Sequence, residues 1–108
     1  MPKQILQINF NYNASKADLE NAFAPFAAPI SNVPGLVWKI WLVNDAKKEA
    51  GGIYLFEDEA SAQNYVTGEI VSGLKTHPAL SNLSLKQFGM FEELQKVTRA
   101  PVELMISA

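Results

Sequence analysis

Few side chains in this sequence could take part in covalent or proton-transfer chemistry. His77 is the single histidine and stands beside Pro78 at the end of a helical region. It could act as a base or as an axial ligand of haem iron, or it could lie solvated in a loop. Tyr54 and Tyr65 carry hydroxyl groups that could orient a phenolic substrate, although buried tyrosines often serve packing alone. We predict His77 and Tyr54 as the catalytic candidates.

Thiol and metal chemistry are not predicted. The chain of 108 residues contains no cysteine, which excludes thiolate nucleophiles, disulfides and cysteine-ligated clusters. Glu49, Asp58 and Glu59 lack the spacing to a second histidine that a metal site needs. The sequence also has no nucleophile-elbow, P-loop or dinucleotide-binding motif. We therefore expect no metal site.

The composition is that of an ordinary globular domain. Hydrophobic residues make up 48% and charged residues 19% of the chain, so we predict a single folded domain over residues 1–108. The formal net charge is -2 and the basic residues are scattered, which argues against a nucleic-acid partner. No signal peptide or apolar stretch of membrane-spanning length is seen, and the absence of cysteine fits a reducing compartment. We expect a cytoplasmic protein without a membrane partner.

The spacing of apolar residues predicts the order β-α-β-β-α-β. This order is typical of an α+β, ferredoxin-like subunit in which both helices cover one face of a four-stranded antiparallel sheet. Ser15 and Asp58 are the predicted helix caps, and Pro25 is expected to kink or restart the first helix. The four strands are predicted within residues 6–12, Leu36 to Val43, Gly51 to Phe56, and roughly Leu83 to Leu94.

Two adjacent glycines, Gly51 and Gly52, weaken the third strand and leave space beside larger residues. If residues 44–48 form the turn, Trp38 lies opposite Tyr54 and Gly52 lies on the same face, although a one-residue bulge would exchange the two faces. One interpretation is plain core packing; the other is an apolar ligand pocket between sheet and helices. The predicted substrate-binding residues from this argument are Trp38, Gly52, Tyr54, Phe56 and Tyr65.

The other face of the sheet is expected to bind a second copy of the chain. Under the same pairing it carries Val37, Lys39, Trp41 and Val43, which would form an exposed patch in a monomer. Lys39 is expected to meet Glu49 or the partner. We predict a homodimer that buries more than about 1,200 Å² in total. Residues 95–108 form a C-terminal extension, in which Val97 to Ile106 is predicted to reach the partner as an added strand or arm.

The segments PGLVWKIW and EAGGIYLFEDEASAQNYV, within residues 34–66, resemble the signature of the YdhR family. That family is assigned to monooxygenases within the dimeric α/β-barrel superfamily. The resemblance implies a ferredoxin-like subunit that pairs sheet to sheet with its twin and holds a pocket between sheet and helices. It also implies kinship with enzymes that oxidise aromatic polyketides without metal or flavin, and with others that bind and degrade haem. In the haem degraders a tryptophan occupies the place of Phe56, and an asparagine falls near Gln7 or Asn9, so Asn9 joins the predicted substrate-binding residues.

The leading hypothesis is a cofactor-free monooxygenase that oxidises a small aromatic or polycyclic substrate in the pocket. The alternative is a non-enzymatic protein that binds or senses a small apolar molecule in the same pocket. Haem binding or degradation is a third hypothesis.

Overall fold

The fold consists of four strands and four helices. The computed structural model describes residues 2–102. The strands are β1 (Gln4–Tyr12), β2 (Leu36–Asn44), β3 (Glu49–Phe56) and β4 (Leu80–Phe88), and the helices are α1 (Lys16–Ser31), α2 (Glu59–Val66), α3 (Glu69–Thr76) and α4 (Glu92–Val97).

The strands form one antiparallel sheet in the order β2-β3-β1-β4, as predicted for a ferredoxin-like α+β subunit. Along β1 the buried residues alternate with partly exposed ones, so each strand residue faces one side or the other. Leu6, Ile8 and Phe10 pack with residues of α1, α2 and α3 in a single core. We call this side of the sheet the helix face and the opposite side, which carries Gln7 and Asn9, the far face.

The predicted helix caps are confirmed. Ser15 Oγ accepts a hydrogen bond from the backbone of Asp18, and Asp58 accepts one from the backbone of Ser61. Hydrogen bonding to Ser61 lowers the pKa of Asp58. Helix α1 does not restart at Pro25 but continues through it to its end. The segment after Asp58 is divided at Gly68 into two helices rather than one.

The last strand differs from its prediction. It runs from Leu80 to Phe88 instead of ending near Leu94, and Glu92–Val97 forms α4. Glu92 and Glu93 lie in the first turn of this helix, where negative side chains stabilise the helix dipole. The predicted arm over Val97 to Ile106 therefore begins in a helix, and its part beyond residue 102 lies outside the described residues.

The register of the β2–β3 hairpin is one residue away from the prediction. The turn occupies the four residues 45–48, with Lys48 at φ 53, so Asn44 pairs with Glu49. Lys39 consequently pairs with Tyr54 and Trp41 pairs with Gly52. Because side chains alternate with a period of two, this shift moves the side chains of β2 from Trp38 onward to the other face.

A bulge at the start of β2 accommodates the shift. Leu36 pairs with Phe56, as predicted, but the next paired residue is Trp38 with Leu55, which leaves Val37 extra. Beyond the bulge Lys39, Trp41 and Val43 lie on the helix face, while Trp38 lies on the far face. The predicted faces are therefore exchanged, and the prediction that Lys39, Trp41 and Val43 form a patch on the far face is wrong.

Part of the far face is covered by the chain's own C-terminal region. The indole Nε1 of Trp38 donates a hydrogen bond of 2.9 Å to the carbonyl oxygen of Pro101. Leu55, the cross-strand neighbour of Trp38, is fully buried although it points away from the helix face. Ile40 and Phe88 on the same face remain exposed by 48% and 46%. Homodimer formation through this face stays a prediction.

Candidate functional site

A cavity of about 120 Å³ lies between the helix face of the sheet and helices α1 and α3. Its walls are mainly apolar and aromatic. A dry cavity of about 150 Å³ is known to bind benzene, so this one has room for roughly a single aromatic ring. Pockets of this kind bind small ligands when a few polar groups are added to apolar walls. The polar side chains in the lining are Lys39, Tyr54, Tyr65, Glu69 and His77.

The amine of Lys39 lies among aromatic rings. Its Nζ is 3.4 Å from the centroid of the Trp41 ring and 4.5 Å from that of Tyr54. Contact with these ring faces favours the charged amine. Desolvation acts in the other direction and lowers the pKa of Lys39 from 10.5 to about 7. The expected partner Glu49 is not bound: within residues 2–102 the ion pairs are Lys48 with Asp45 and Lys96 with Glu93.

The two glycines of β3 have different reasons to lack a side chain. A Cβ atom on Gly52 would lie 2.6 Å from Cε of Lys39, so this glycine leaves the path that the lysine chain follows into the cavity. A Cβ atom on Gly51 would overlap the carbonyl oxygen of Ile8 and come within 2.9 Å of Cα of Asn9. Gly51 is therefore needed for the close approach of β3 to β1, and Gly52 for the position of Lys39.

Tyr54 and Tyr65 form a hydrogen-bonded pair on the cavity wall. The hydroxyl of Tyr65 donates to that of Tyr54 over 3.1 Å, and the ring centroids are 5.0 Å apart. Burial raises the pKa of both hydroxyl groups, so both keep their protons at neutral pH. Because Tyr54 accepts in this pair, its own proton can be donated to a ligand.

His77 caps the end of α3 and faces the cavity. Its Nδ1 accepts a hydrogen bond of 3.1 Å from the backbone N–H of Ala79. A neutral imidazole with an acceptor at Nδ1 carries its proton on Nε2. In this orientation the ring can donate a hydrogen bond to a ligand, but it cannot take a proton at either nitrogen without losing the contact to Ala79. The arrangement suits a positioning group better than the predicted base.

The structure brings together only part of the predicted site. Gly52, Tyr54, Tyr65 and His77 line the cavity, and their roles toward a substrate stay predictions. Three predicted residues are placed elsewhere, which corrects their assignment to the pocket. Trp38 lies on the far face because of the observed register. Asn9 also lies on the far face, where its Oδ1 accepts a hydrogen bond of 2.9 Å from Nε2 of Gln7. Phe56 is fully buried in the core, where its ring stacks against that of Tyr54.

The residues that the sequence argument missed are Lys39, Trp41 and Phe23. The predicted register places Lys39 and Trp41 on the far face. The length of the hairpin turn is the feature that determines which face these side chains occupy. Phe23 belongs to the helical stripe of α1, where an apolar residue is read as core. Its ring centroid lies 6.0 Å from that of Trp41.

The Phe23–Trp41 contact separates the cavity from a second, more open one. This second cavity has a volume of about 510 Å³ and lies between α1 and β2. Phe23, Trp41 and Gly51 line both cavities. The rings of Phe23 and Trp41 therefore stand on the wall that the two cavities share.

The sequence matches the model of one protein family over residues 5–101, and the description of that family is "Putative mono-oxygenase ydhR". The chain belongs to the ydhR family. No curated protein matches the sequence at a significant level. The resemblance seen in residues 34–66 is thereby confirmed, and a general monooxygenase-like function follows for this ydhR-family chain.

Solved structures share the fold of the ydhR-family chain at low identity. A Nitrosomonas europaea protein of unknown function has a TM-score of 0.71 at 20% identity, over 84% of this chain and 91% of that one. SnoaB, a cofactor-independent oxygenase from Streptomyces nogalater, has a TM-score of 0.65 at 20% identity, over 82% and 92%. The heme degrader MhuD from Mycobacterium tuberculosis, with two hemes in its active site, has a TM-score of 0.62 at 22% identity, over 81% and 95%. At these identities the likeness shows the fold alone.

The cavity of this ydhR-family chain does not fit a haem. A space for one aromatic ring is too small for a tetrapyrrole. An iron-bound histidine donates its other ring N–H to an acceptor, whereas Nδ1 of His77 itself accepts from a backbone N–H. Phe56 and Asn9, the positions predicted from the haem degraders, do not face the cavity.

Within residues 2–102 no group of three histidine, aspartate or glutamate side chains is placed to hold a metal ion. Of the helices in that range, none has the length and apolarity to cross a membrane.

Proposed function

We propose that this protein is a cofactor-independent monooxygenase that oxidises a small aromatic substrate in the cavity beneath α1 and α3. The observation that carries the proposal is the cavity itself: an apolar space for about one ring, with an amine and two hydroxyl groups on its walls, in a chain of the ydhR family. The fold shared with the cofactor-independent oxygenase SnoaB supports the same reaction class.

Each part of the site has a task in this reaction. In this proposal the apolar walls exclude water and hold the ring, while Tyr54 and Lys39 in the lining stabilise the charge that develops on a ring oxygen. A cofactor-independent oxygenase needs a substrate that can give its own electrons to molecular oxygen. One oxygen atom then enters the substrate and the other leaves as water, with the electrons supplied by a ring methylene that becomes a carbonyl.

The test is oxygen uptake with ring systems of increasing size. Hydroxyanthrone, which has three fused rings and a reactive methylene, serves as the reference substrate, and a single-ring and a two-ring hydroxyaromatic methylene compound extend the series. Enzyme-dependent oxygen uptake, with one atom of labelled oxygen in the product, is expected to be fastest for the single-ring compound, because the cavity has room for about one ring. Autoxidation is subtracted with heat-denatured protein.

Two variants test whether the oxygen uptake depends on the cavity. Gly52→Val, which displaces Lys39 in the cavity, is expected to abolish the activity, while Gly89→Ala, remote from the cavity, leaves it intact. Saturable binding of these compounds without any oxygen uptake above the denatured control would contradict the proposal. That outcome would instead support the alternative, a protein that binds or senses a small apolar molecule.

A further inference from the structure

Lys39 is an ionisable amine placed in an apolar cavity without a carboxylate partner. Among residues 2–102 neither ion pair includes Lys39, and its Nζ contacts the faces of Trp41 and Tyr54 instead. Buried charges are normally paired, because an unpaired charge loses its hydration without compensation. The site therefore lacks one partner, which a ligand with an anionic group would supply.

We propose that Lys39 makes this cavity specific for a ring that carries an acidic hydroxyl group, whose proton Lys39 takes and whose oxyanion it then holds. The ligand is thus a phenol or an enol rather than an unsubstituted aromatic hydrocarbon. This inference rests on the proposed function for the choice of site, and it names the substrate class.

The proton transfer needs no other reactant. The O–H bond of the ligand breaks, an N–H bond forms at Nζ of Lys39, and the electron pair stays on the ligand oxygen. The ammonium group produced lies against the ring of Trp41 and beside the new oxyanion, so neither charge is buried alone. The near-neutral pKa of Lys39 means that a large fraction of the amine is free to accept the proton at pH 7.

The other titratable groups facing the cavity do not compete for this role. Tyr54 on β3 and Tyr65 on α2 keep their protons, since burial raises both pKa values. His77 already uses Nδ1 as an acceptor for a backbone N–H. Glu69 on α3 is exposed, and Lys39 forms no ion pair with it. Helix α1 contributes only apolar side chains to the lining.

The experiment uses para-nitrophenol, a single-ring phenol whose ionised form absorbs visible light. Spectra of the dye are recorded with excess protein, under nitrogen, across a pH series. We expect wild-type protein to bind the dye as phenolate and to lower its apparent pKa by about one unit or more, as a neighbouring cation does. Para-nitroanisole, the methyl ether without an acidic proton, is expected to bind at least about tenfold more weakly.

Three variants separate charge from structure. Lys39→Met is expected to weaken dye binding at least about tenfold and to raise the apparent pKa of the bound dye above that of the free dye. Lys39→Arg keeps a cation that cannot accept a proton. It is therefore expected to bind only dye that is already ionised, so that its affinity rises with pH as the free dye ionises. Lys86→Met removes an exposed lysine from β4 and is expected to match wild type.

A neutral-dye spectrum in the wild-type complex, or the same titration in wild type and Lys39→Met, would overturn the inference. If Lys39→Met does not fold, as judged by circular dichroism, the wild-type spectrum and the comparison with Lys39→Arg are sufficient to test the inference. Oxygen is absent from the assay, so the two proposals fail separately. Oxygen uptake without a phenolate spectrum overturns only the role of Lys39; a phenolate spectrum without oxygen uptake in the substrate series overturns only the proposed monooxygenase.

Discussion

Lys39 enters the cavity through the space that Gly52 leaves open. A Cβ atom at Gly52 would approach Cε of the lysine to 2.6 Å and the carbonyl oxygen of Ile40 to 3.2 Å, while its contact to Tyr54 would remain ordinary at 3.4 Å. The tightest of these contacts is therefore with Lys39, which supplies the amine in the part of the cavity lining formed by residues 2–102.

The two adjacent glycines should respond differently to alanine. Gly51→Ala is expected to lower the free energy of unfolding by about 1–3 kcal/mol, because the added methyl group meets the rigid backbone of β1. Gly52→Ala is expected to cost less than about 1 kcal/mol, because the flexible end of Lys39 can move aside, but it should weaken para-nitrophenol binding. Urea unfolding and dye titration measure the two effects, with Gly89→Ala as the control. Equal destabilisation by both substitutions would contradict this assignment.

The stability of the protein should depend on pH through Lys39. In the unfolded chain this lysine keeps a pKa near 10.5, against about 7 in the folded protein, so the unfolded state binds more protons between these values. The contribution of Lys39 to stability therefore rises with pH from about 7 to about 10.5 and is least favourable below pH 7. Lys39→Met should stabilise the protein by about 1–3 kcal/mol at pH 6, with a gain that shrinks toward pH 10. Thermal or urea unfolding of wild type, Lys39→Met and Lys86→Met at several pH values is the measurement; a gain independent of pH would refute it.

The paired tyrosines should show a measurable coupling. Tyr54→Phe leaves the buried hydroxyl of Tyr65 without its acceptor, and we expect a loss of about 1–3 kcal/mol in the free energy of unfolding. Tyr65→Phe should cost less, since the hydroxyl of Tyr54 can still donate to a ligand or to water in the cavity. A double-mutant cycle in urea should give a coupling of about 0.5–1.5 kcal/mol. Strict additivity of the two substitutions would show that the hydroxyl groups do not interact.

Substitution of Phe23 should enlarge the binding site. Phe23→Ala removes the ring that faces Trp41 and joins the cavities of about 120 and 510 Å³. We expect the variant to gain affinity for two- and three-ring phenols relative to single-ring phenols, measured by calorimetric titration. Phe91→Ala, at the exposed N-cap of α4, is the control and should keep the wild-type preference. An unchanged preference in Phe23→Ala would mean that the two spaces do not connect.

The predicted homodimer can be tested with two residues of one strand. Ile40 and Val43 are exposed by 48% and 47% but lie on opposite faces of β2. Ile40→Lys should weaken a dimer formed through the far face at least about tenfold, because it places a charge in the interface. Val43→Lys should leave the association unchanged. Sedimentation at micromolar concentrations measures both, and a monomeric wild-type protein would refute the dimer itself.

The sequence predicted the architecture because its signals are redundant. Alternation along β1 predicts a strand, the caps Ser15 and Asp58 mark the starts of two helices, and the order of the elements along the chain predicts a ferredoxin-like subunit. The prediction of the cavity lining depended on the length of the turn before Glu49, and the pattern of apolar residues does not determine that length. Every residue from Leu36 to Val43 except Lys39 is apolar, so the pattern carries no information about the faces of β2, and the predicted register places Lys39 on the wrong face.

The three-residue spacing of Trp38 and Trp41 along β2 places the two tryptophans of the chain on opposite faces of the sheet, and this gives each face its own fluorophore. The indole of Trp41 lies against the Lys39 amine, so its emission should respond to ligand entry and to the charge on that amine. The indole of Trp38 donates to Pro101, so its emission should respond to release of the C-terminal region. Single-tryptophan proteins carrying Trp38→Phe or Trp41→Phe would report occupancy on one side of the sheet and docking of the tail on the other, each without a signal from its counterpart.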